Sequence, residues 1–473
     1  MRNLSAFAFV ALVLGMVVGC SSMPSKGGFG DVEKIVQERL DARVYWYQGE
    51  LEDQEATSEV ARLLSGELTL DAAIQIALLN NRTLQAEYEE LGVAQADLVQ
   101  AGLLRNPVFF ASARDADVSG LTTNTEIEVV QDFLDILMRP ARKRMASTAF
   151  EAAKLRVAGQ VLGLAAEVKD AYYGLQGSGQ VAEMLGVIAR ASGAAYEFSR
   201  RQHIAGNLND LDLASQQGLF EHARIDLTRA EARVVDDRER LNRLLGLWGA
   251  DTGWTIPAKL PPIPESDPDL DEIESLALTQ RLDLATARLE SQQLAEALNL
   301  TLRWRWVAVA DFGFSRERDS DGLEVKGPNL MIEIPIFDQG QARIARLEAL
   351  NRQSEQRMMA LAIEIRSRVR EIRNRLLVQR ALAQRYERVL IPLRQKIVSE
   401  ALKHYNFMLV GVYRLLEARQ DEVDAYREYI EATRDYWQAR TTLELAVGGC
   451  LPANHEQTET PPSIEHHHEQ TED

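Results

Sequence analysis

Cysteine is nearly missing from this chain: Cys20 and Cys450 are its only two in 473 residues. A fold stapled by disulfides is excluded, and so are the repeated Cys-x-x-Cys spacings of structural zinc sites. Positive charge is in deficit as well. Lys and Arg number 53 against 71 Asp and Glu, a formal net charge of −18. Nucleic acid is therefore not expected as a partner, since phosphate contacts need clustered cations. No P-loop, HExxH or nucleophile-elbow pattern occurs, so neither enzyme catalysis nor a cofactor is expected.

What is present begins at the N-terminus. Arg2 precedes an apolar run from Leu4 that ends in "VLGMVVGC" at Cys20. A short cationic start and an apolar stretch of about 15 residues read as an export signal, not a membrane span. Val17-Val18-Gly19-Cys20 resembles a bacterial lipobox, which implies cleavage before a lipid-bearing Cys20. Ser21 follows where Asp would signal inner-membrane retention, so the resemblance implies sorting to the outer membrane. Multiple acyl chains would hold the mature N-terminus in lipid. With Cys20 modified, Cys450 has no intramolecular partner.

The chain then repeats itself. Adding 200 to the numbers of residues 68–98 matches Leu70/Leu270, Asp71/Asp271, Ala77/Ala277, Leu84/Leu284 and Glu90/Glu290 without a gap. Further on, a shift of 202 matches Leu213/Leu415, Arg238/Arg440, Leu241/Leu443 and Gly246/Gly448. Between the halves, "PAKLPPIPESDPD" (257–269) is too rich in proline for helix and reads as a linker. Each half is expected to open with a helix starting after an Asp (Asp71, Asp271) and to continue through two strands into a very long helix. From Arg142 to His203, Val161, Leu164, Val168, Tyr172 and Leu175 step by threes and fours, the rhythm of a coiled-coil seam. About 60 helical residues make a rod of roughly 90 Å, which suits a tube or stalk and not a compact core.

The expected strands are 106–114, 123–133, 304–314 and 329–337. In "RWRWVAVADFGFS" (303–315), Trp304, Trp306, Ala308, Ala310, Phe312 and Phe314 share one face of an extended chain. In "NLMIEIPIF", Leu330, Ile332, Ile334 and Ile336 do the same. Such lengths suit tilted transmembrane β-strands. On that reading the tryptophans sit at the membrane boundary, while Arg305, Asp311, Glu126, Glu128 and Glu333 face water. Four strands leave bare edges, and a bilayer cannot satisfy them, so several chains must close the sheet.

These features together resemble the TolC-type outer-membrane efflux protein family, lipoprotein subset. The motifs that carry the resemblance are the doubled "LTLDAAIQIALLNNRTLQA" start, "IPIFDQGQARIARLEA" (334–349), and the turns "HIAGNLNDLDLASQ" and "YNFMLVGVYRLLEARQ". His203 and Met408 depart from the family's tyrosine and glycine there, and the first strand-to-helix turn near "DILMRPARKR" is degenerate. The resemblance implies a mainly α fold with a membrane β-barrel. Three chains would form a twelve-stranded barrel and a periplasmic α-helical barrel. It further implies an exit duct that docks to a periplasmic adaptor protein and an inner-membrane efflux pump. The expected organisation is a signal peptide (1–19), a lipidated segment (20–66), a first repeat (67–256), the linker (257–269), a second repeat (270–449) and a disordered tail (450–473). A periplasmic coiled-coil scaffold lipoprotein without a pore is the alternative.

The resemblance places the periplasmic tip near Gly206 and Gly411. Asp212, Glu417, Asp210 and Arg414 are its gate candidates, with solvated helix caps as the plainer reading. Gly206, Leu211, Leu213, Leu415, Leu416 and Ala418 are candidates for adaptor contact. In the tail, His455, His466, His467 and His468 stand among carboxylates that could chelate copper, nickel or zinc, or merely solvate.

Overall fold

Thr69 and Asn81 supply side-chain oxygens where the first repeat needs helix caps, and both are used. The computed structural model describes residues 24–49, 53–115, 117, 121–267, 270, 272–307, 309–449 and 451. The expectations for the signal peptide, Cys20, Cys450, Asp271 and the histidine tail lie outside the described residues. Helices α1 (Phe29–Leu40) and α2 (Asp53–Leu64) precede α3 (Leu70–Asn80) and α4 (Arg82–Gly102). Strands β1 (Val108–Arg114) and β2 (Asn124–Asp132) lead into α5 (Phe133–Ile204) and α6 (Asp210–Leu245). The second half gives α7 (Ile273–Gln280), α8 (Leu282–Trp304), β3 (Ala310–Arg318) and β4 (Glu324–Ile332). It continues through α9 (Gln341–Arg385), a π turn (Tyr386–Leu390), α10 (Ile391–Asn406) and α11 (Val412–Val447). The cap of α3 is Thr69, which accepts from the Ala72 amide at 3.2 Å; Asp71 lies inside the first turn and not before it. Among the described residues no helix is long and apolar enough to cross a membrane.

The repeat is structural. Ala77 and Ala277 are both fully buried, as are Leu241 and Leu443. Helices α6 and α11 end at Gly246 and Gly448, each with positive φ, 68° and 118°. A Cβ at Gly246 would lie 2.6 Å from the Asn80 carbonyl, and one at Gly448 2.9 Å from Gln280, which is Asn80 shifted by 200. Only glycine fits both the backbone and the space. Through the long helices the buried Val168, Ala171 and Leu175 correspond to the buried Val369, Ile372 and Leu376, a shift of 201 (369 − 168). The π turn at Tyr386–Leu390 then inserts one residue, and beyond it the shift is 202 (408 − 206).

Helix α5 is the spine. Its 72 residues span about 108 Å at 1.5 Å each. The seam Val161, Val168, Tyr172 and Leu175 is buried, and Leu164 partly so. Helices α1, α3, α4, α6, α8 and α11 all pack on α5. The N-terminal segment belongs to this core, which sequence reading did not foresee. Phe29 meets Tyr88 edge-on at 5.2 Å and Trp46 at 5.8 Å.

The sheet is antiparallel in the order β1-β2-β3-β4, and among the described residues its outer edges, on β1 and β4, carry no partner. Register aligns Phe109, Val129, Phe314 and Pro328 across it. Side chains alternate, so Ala111, Ile127, Phe312, Leu330 and Ile332 share that face. Ser112, Glu126, Glu128, Asp311, Ser315, Glu317 and Asn329 share the other, where Asn329 Nδ2 donates to Glu128 Oε1. One wall is mainly apolar; the other is mixed, its carboxylates standing among Phe110, Val130 and Met331.

The strands of the second half are displaced from expectation. β3 is Ala310–Arg318, not 304–314, because α8 runs on through Trp304. Leu294, Leu298 and Leu302 keep helical spacing to that end, and the Arg305 guanidinium stacks over Trp306 at 4.5 Å. Arg305 and both tryptophans are thus outside the strand. β4 is Glu324–Ile332, not 329–337. Pairing stops after the Glu333 amide donates to the Val309 carbonyl at 3.1 Å, since β3 has no further residues to offer. Ile334 and Ile336 lie in the irregular run before α9, exposed, as is Glu333. In the first half the helix starts at Phe133, well before Arg142, capped by Asp132, which accepts from the Asp135 amide at 2.9 Å. Asp135, its side chain 2% exposed, is held by Arg142 of the same helix at 2.5 Å and accepts from the Arg105 amide at 3.2 Å, which ties the start of α5 to the chain entering β1.

Candidate functional site at the helical tips

The long helices reverse at two tight turns far from the sheet, residues 205–209 and 407–411. Both close in the same way. The Gly206 amide donates to the His203 carbonyl at 2.9 Å, and the Asn207 amide to Gln202 at 2.9 Å. Met408 to Tyr405 (2.9 Å) and Leu409 to His404 (2.8 Å) copy that pattern 202 residues later. This pattern needs a left-handed residue at its centre. Gly206 supplies it at φ 77°, whereas Met408 adopts φ 56° with its side chain 93% exposed.

Helix α6 starts with a full cap: the Asp212 amide donates to Asn209 Oδ1 at 2.8 Å, and Asn209 Nδ2 returns to Asp212 Oδ2 at 2.8 Å. Gly411, at the same place in the second turn, has no side chain to do this. The other oxygen of Asp212 reaches across to the second hairpin. Tyr413 Oη donates to Asp212 Oδ1 at 3.0 Å and lies 3.2 Å from Ser215 Oγ. The two turns of one chain are therefore fastened to each other at their ends.

The remaining gate candidates have nearer partners. Asp210 lies 3.4 Å from His203 Nε2, and His203 Nδ1 lies 2.9 Å from the Leu208 carbonyl. Glu417 pairs with Arg414 on its own helix at 2.7 Å. Asp212 and Glu417 thus do different things within the chain, one linking hairpins and one pairing locally. Further up α5, Glu197 accepts from Arg200 at 2.9 Å and Arg201 at 3.1 Å. Those two bonds hold its carboxyl at about 2. A folded value below the unfolded one stabilises at neutral pH, and the contribution is lost only as pH falls toward that value.

Of the residues expected at a docking surface, Leu211 is 70% exposed, and Leu213, Leu415 and Leu416 are half-buried. Ala418 is a correction: it is 5% exposed, covered within the chain and without a free surface to offer. Ile204, Phe407 and Leu409 are exposed apolar residues that sequence reading did not single out, and Met408, marked there only as a departure from the family's glycine, is exposed as well. Tyr413 was missed too. The signal was its alignment with Leu211, a hydroxyl standing where the other repeat has none. Among the described residues no group of three or more His, Cys, Asp or Glu is arranged to hold a metal ion. The four tail histidines fall outside them.

Removing the Tyr413 hydroxyl should loosen the tips. In Tyr413→Phe, amide exchange at 203–213 and 405–413 should quicken several-fold, since one such bond is worth on the order of 1 kcal/mol. Exchange unchanged from the parent would mean that the bond does not hold the turns.

Residues 73–247 match the family described as outer membrane efflux protein. Among curated proteins, the chain is 22% identical over 394 residues to the cobalt-zinc-cadmium resistance protein CzcC of Cupriavidus metallidurans, covering 82% of this chain and 91% of that one. Among solved structures it resembles the CusC channel with a TM-score of 0.70 at 17% identity, covering 81% of this chain and 93% of that one. The outer membrane protein VceC of Vibrio cholerae gives 0.69 at 15%, covering 80% and 96%. The proteins it resembles are channels and resistance proteins, not enzymes.

Proposed function

Because this chain is a member of the outer-membrane efflux protein family, we propose that it is the passive exit duct of a tripartite system, three copies closing a twelve-stranded barrel and the helical tube beneath it. The observation that carries this reading is the sheet with one mainly apolar wall, one wall that holds its carboxylates, and two edges without a partner among the described residues. Each unpaired backbone group in hydrocarbon costs several kcal/mol, so the sheet enters lipid only when closed. Phe109, Val129, Phe312, Phe314 and Leu330 then face acyl chains, and Glu126, Glu128, Asp311 and Glu317 line water. The tips carry the docking surface for a periplasmic adaptor, built from Leu211 with the exposed Phe407, Met408 and Leu409. An inner-membrane pump supplies the energy.

Divalent heavy-metal ions are the proposed cargo. Similarity to a protein named for cobalt, zinc and cadmium resistance supports this, as do the carboxylates of the second wall and His455, His466, His467 and His468 in the tail. Cells lacking this chain should become more sensitive to zinc, cobalt or cadmium. Sensitivity unchanged to all three, but raised to organic toxins, would overturn the metal assignment and leave the duct.

The gate is read at the tip, with Asp212 and Glu417 each giving a ring of three carboxylates in the trimer and Asp210 and Arg414 beside them. Rings of like charge attract cations. In planar bilayers Asp212→Ala should raise single-channel conductance and weaken block by zinc, while Asp71→Ala, far from the tip, should change neither. A parent-like Asp212→Ala channel would remove Asp212 from the gate.

Cys20 is proposed to carry the lipid that tethers the mature chain to the outer membrane. Cys20→Ser should abolish labelling by radioactive palmitate. Labelling that persists would place the lipid elsewhere.

A further inference from the structure

The tube has a seam between copies, and the internal repeat gives its contacts. Near the sheet, helices pack in the order α4–α5–α8–α9; toward the tips the order is α6–α5–α11–α9/α10. Among the described residues each layer ends on either side in a helix with no further helix of the layer beyond it. The segment around Trp46 also packs on α4 through Tyr88 and Glu89. In both layers the first-repeat edge (α4, α6) is the structural equivalent of a helix that already packs on α5 from the second repeat (α8, α11). Helix α9 is likewise the equivalent of α5. The α5–α8 and α5–α11 junctions inside one chain are therefore templates for α9 against α4, and for α9 against α6, of the next copy.

At the α5–α8 junction, Arg156 Nη2 lies 3.1 Å from Glu290 Oε1. The same guanidinium reaches back to Glu90 Oε2 on α4 at 3.5 Å. Shifting Arg156 by the 201 residues that relate α5 to α9 gives Arg357 (156 + 201). Shifting Glu290 back by the 200 that relates α8 to α4 gives Glu90 (290 − 200). Arg357 is exposed on α9, with no carboxylate at ion-pairing distance among the described residues. We propose that Arg357 of one copy pairs with Glu90 of the next, so that Arg156, Glu290, Arg357 and Glu90 alternate around the tube as one belt of charge.

An independent place on the same edges agrees. Toward the tips, Tyr173 stacks on Trp437 at 5.3 Å, and Gly177 lies under the Arg434 side chain. The repeat carries Trp437 to Val235 on α6 (437 − 202) and Gly177 to Val378 on α9 (177 + 201). Val235 is 60% exposed and Val378 46% exposed in the single chain, and the same junction between copies covers both. The occupant of these edges is thus a second copy of this chain, offering apolar cover toward the tips and the opposite charge nearer the sheet.

This inference rests on the three-copy reading, and its test separates the two. Light scattering of the parent in detergent, corrected for bound detergent, should give the mass of three chains. In a background with Cys450→Ser, the pair Glu90→Cys and Arg357→Cys should be joined by a short flexible bismaleimide into two- and three-chain bands on a denaturing gel. Neither single cysteine should give them. Glu90→Gln and Arg357→Gln should each lower the temperature at which the trimer dissociates, and the double variant should be no worse than Glu90→Gln alone. A three-chain parent with no cross-link and additive losses would overturn the pair and leave the duct. A single-chain parent would overturn both.

Discussion

An antiparallel sheet with two unpaired edges is the constraint from which the rest of this molecule follows. In water, bare N–H and C=O groups on β1 and β4 would be solvated at small cost; in hydrocarbon they have no such recourse. On the proposed reading the apolar wall meets lipid, and β4 of one copy then meets β1 of another. The helices meet a related demand. Laid side by side on α5, they form a layer whose edge residues Val235 and Val378 are apolar. On the same reading sheet and helical layer close with the same number of copies, because each strand pair leads into the long helix that follows it. In the first half the buried Asp135 fixes that connection, accepting from the Arg105 amide at 3.2 Å ahead of β1.

Much of this was legible in the sequence. The repeat, the element order and the two-faced sheet could be read because they rest on periodicity and on matches at fixed spacing, which survive even where identity is low. Strand limits in the second half were not legible. An alternating run such as Trp304-Arg305-Trp306 fits the end of a leucine-spaced helix as well as it fits a strand, and local pattern cannot say which helix length the tertiary structure allows. Conversely, "SRER" belongs to β3 although its charges resemble a loop, because it pairs along its whole length with β2 and β4. The N-terminal contribution was hidden for another reason. Phe29, Trp46 and Tyr88 lie far apart in sequence and share no period; only the fold brings them together.

The tip was half legible. Turn chemistry marked its place, since glycine and asparagine stand where a left-handed residue and a cap are required. Side-chain partners across the two hairpins are another matter, because they depend on how α5 and α11 are set against each other along their lengths. The π turn bears on this. By adding one residue to the second long helix, it restores equal height to two turns that start from helices differing by one in register. Without that residue, Tyr413 would be rotated by about 100° on its helix and carried about 1.5 Å along it, away from Asp212.

Where the two repeats agree, they build wall: Ala77 with Ala277, Leu241 with Leu443, Gly246 with Gly448. At the tip they differ, as they also do at places in the wall. Leu211 corresponds to Tyr413, Asp212 to Arg414, and Asn209 to Gly411. Identical turns could not have made the Tyr413–Asp212 bond, because two leucines offer no donor and two aspartates repel. Divergence supplies a donor on one hairpin and an acceptor on the other, while Arg414, in the place of Asp212, turns to Glu417 on its own helix. A wall is served by equivalence, since every junction then has the same shape. A fastening between hairpins needs two unlike partners, and at the turns the chain carries them.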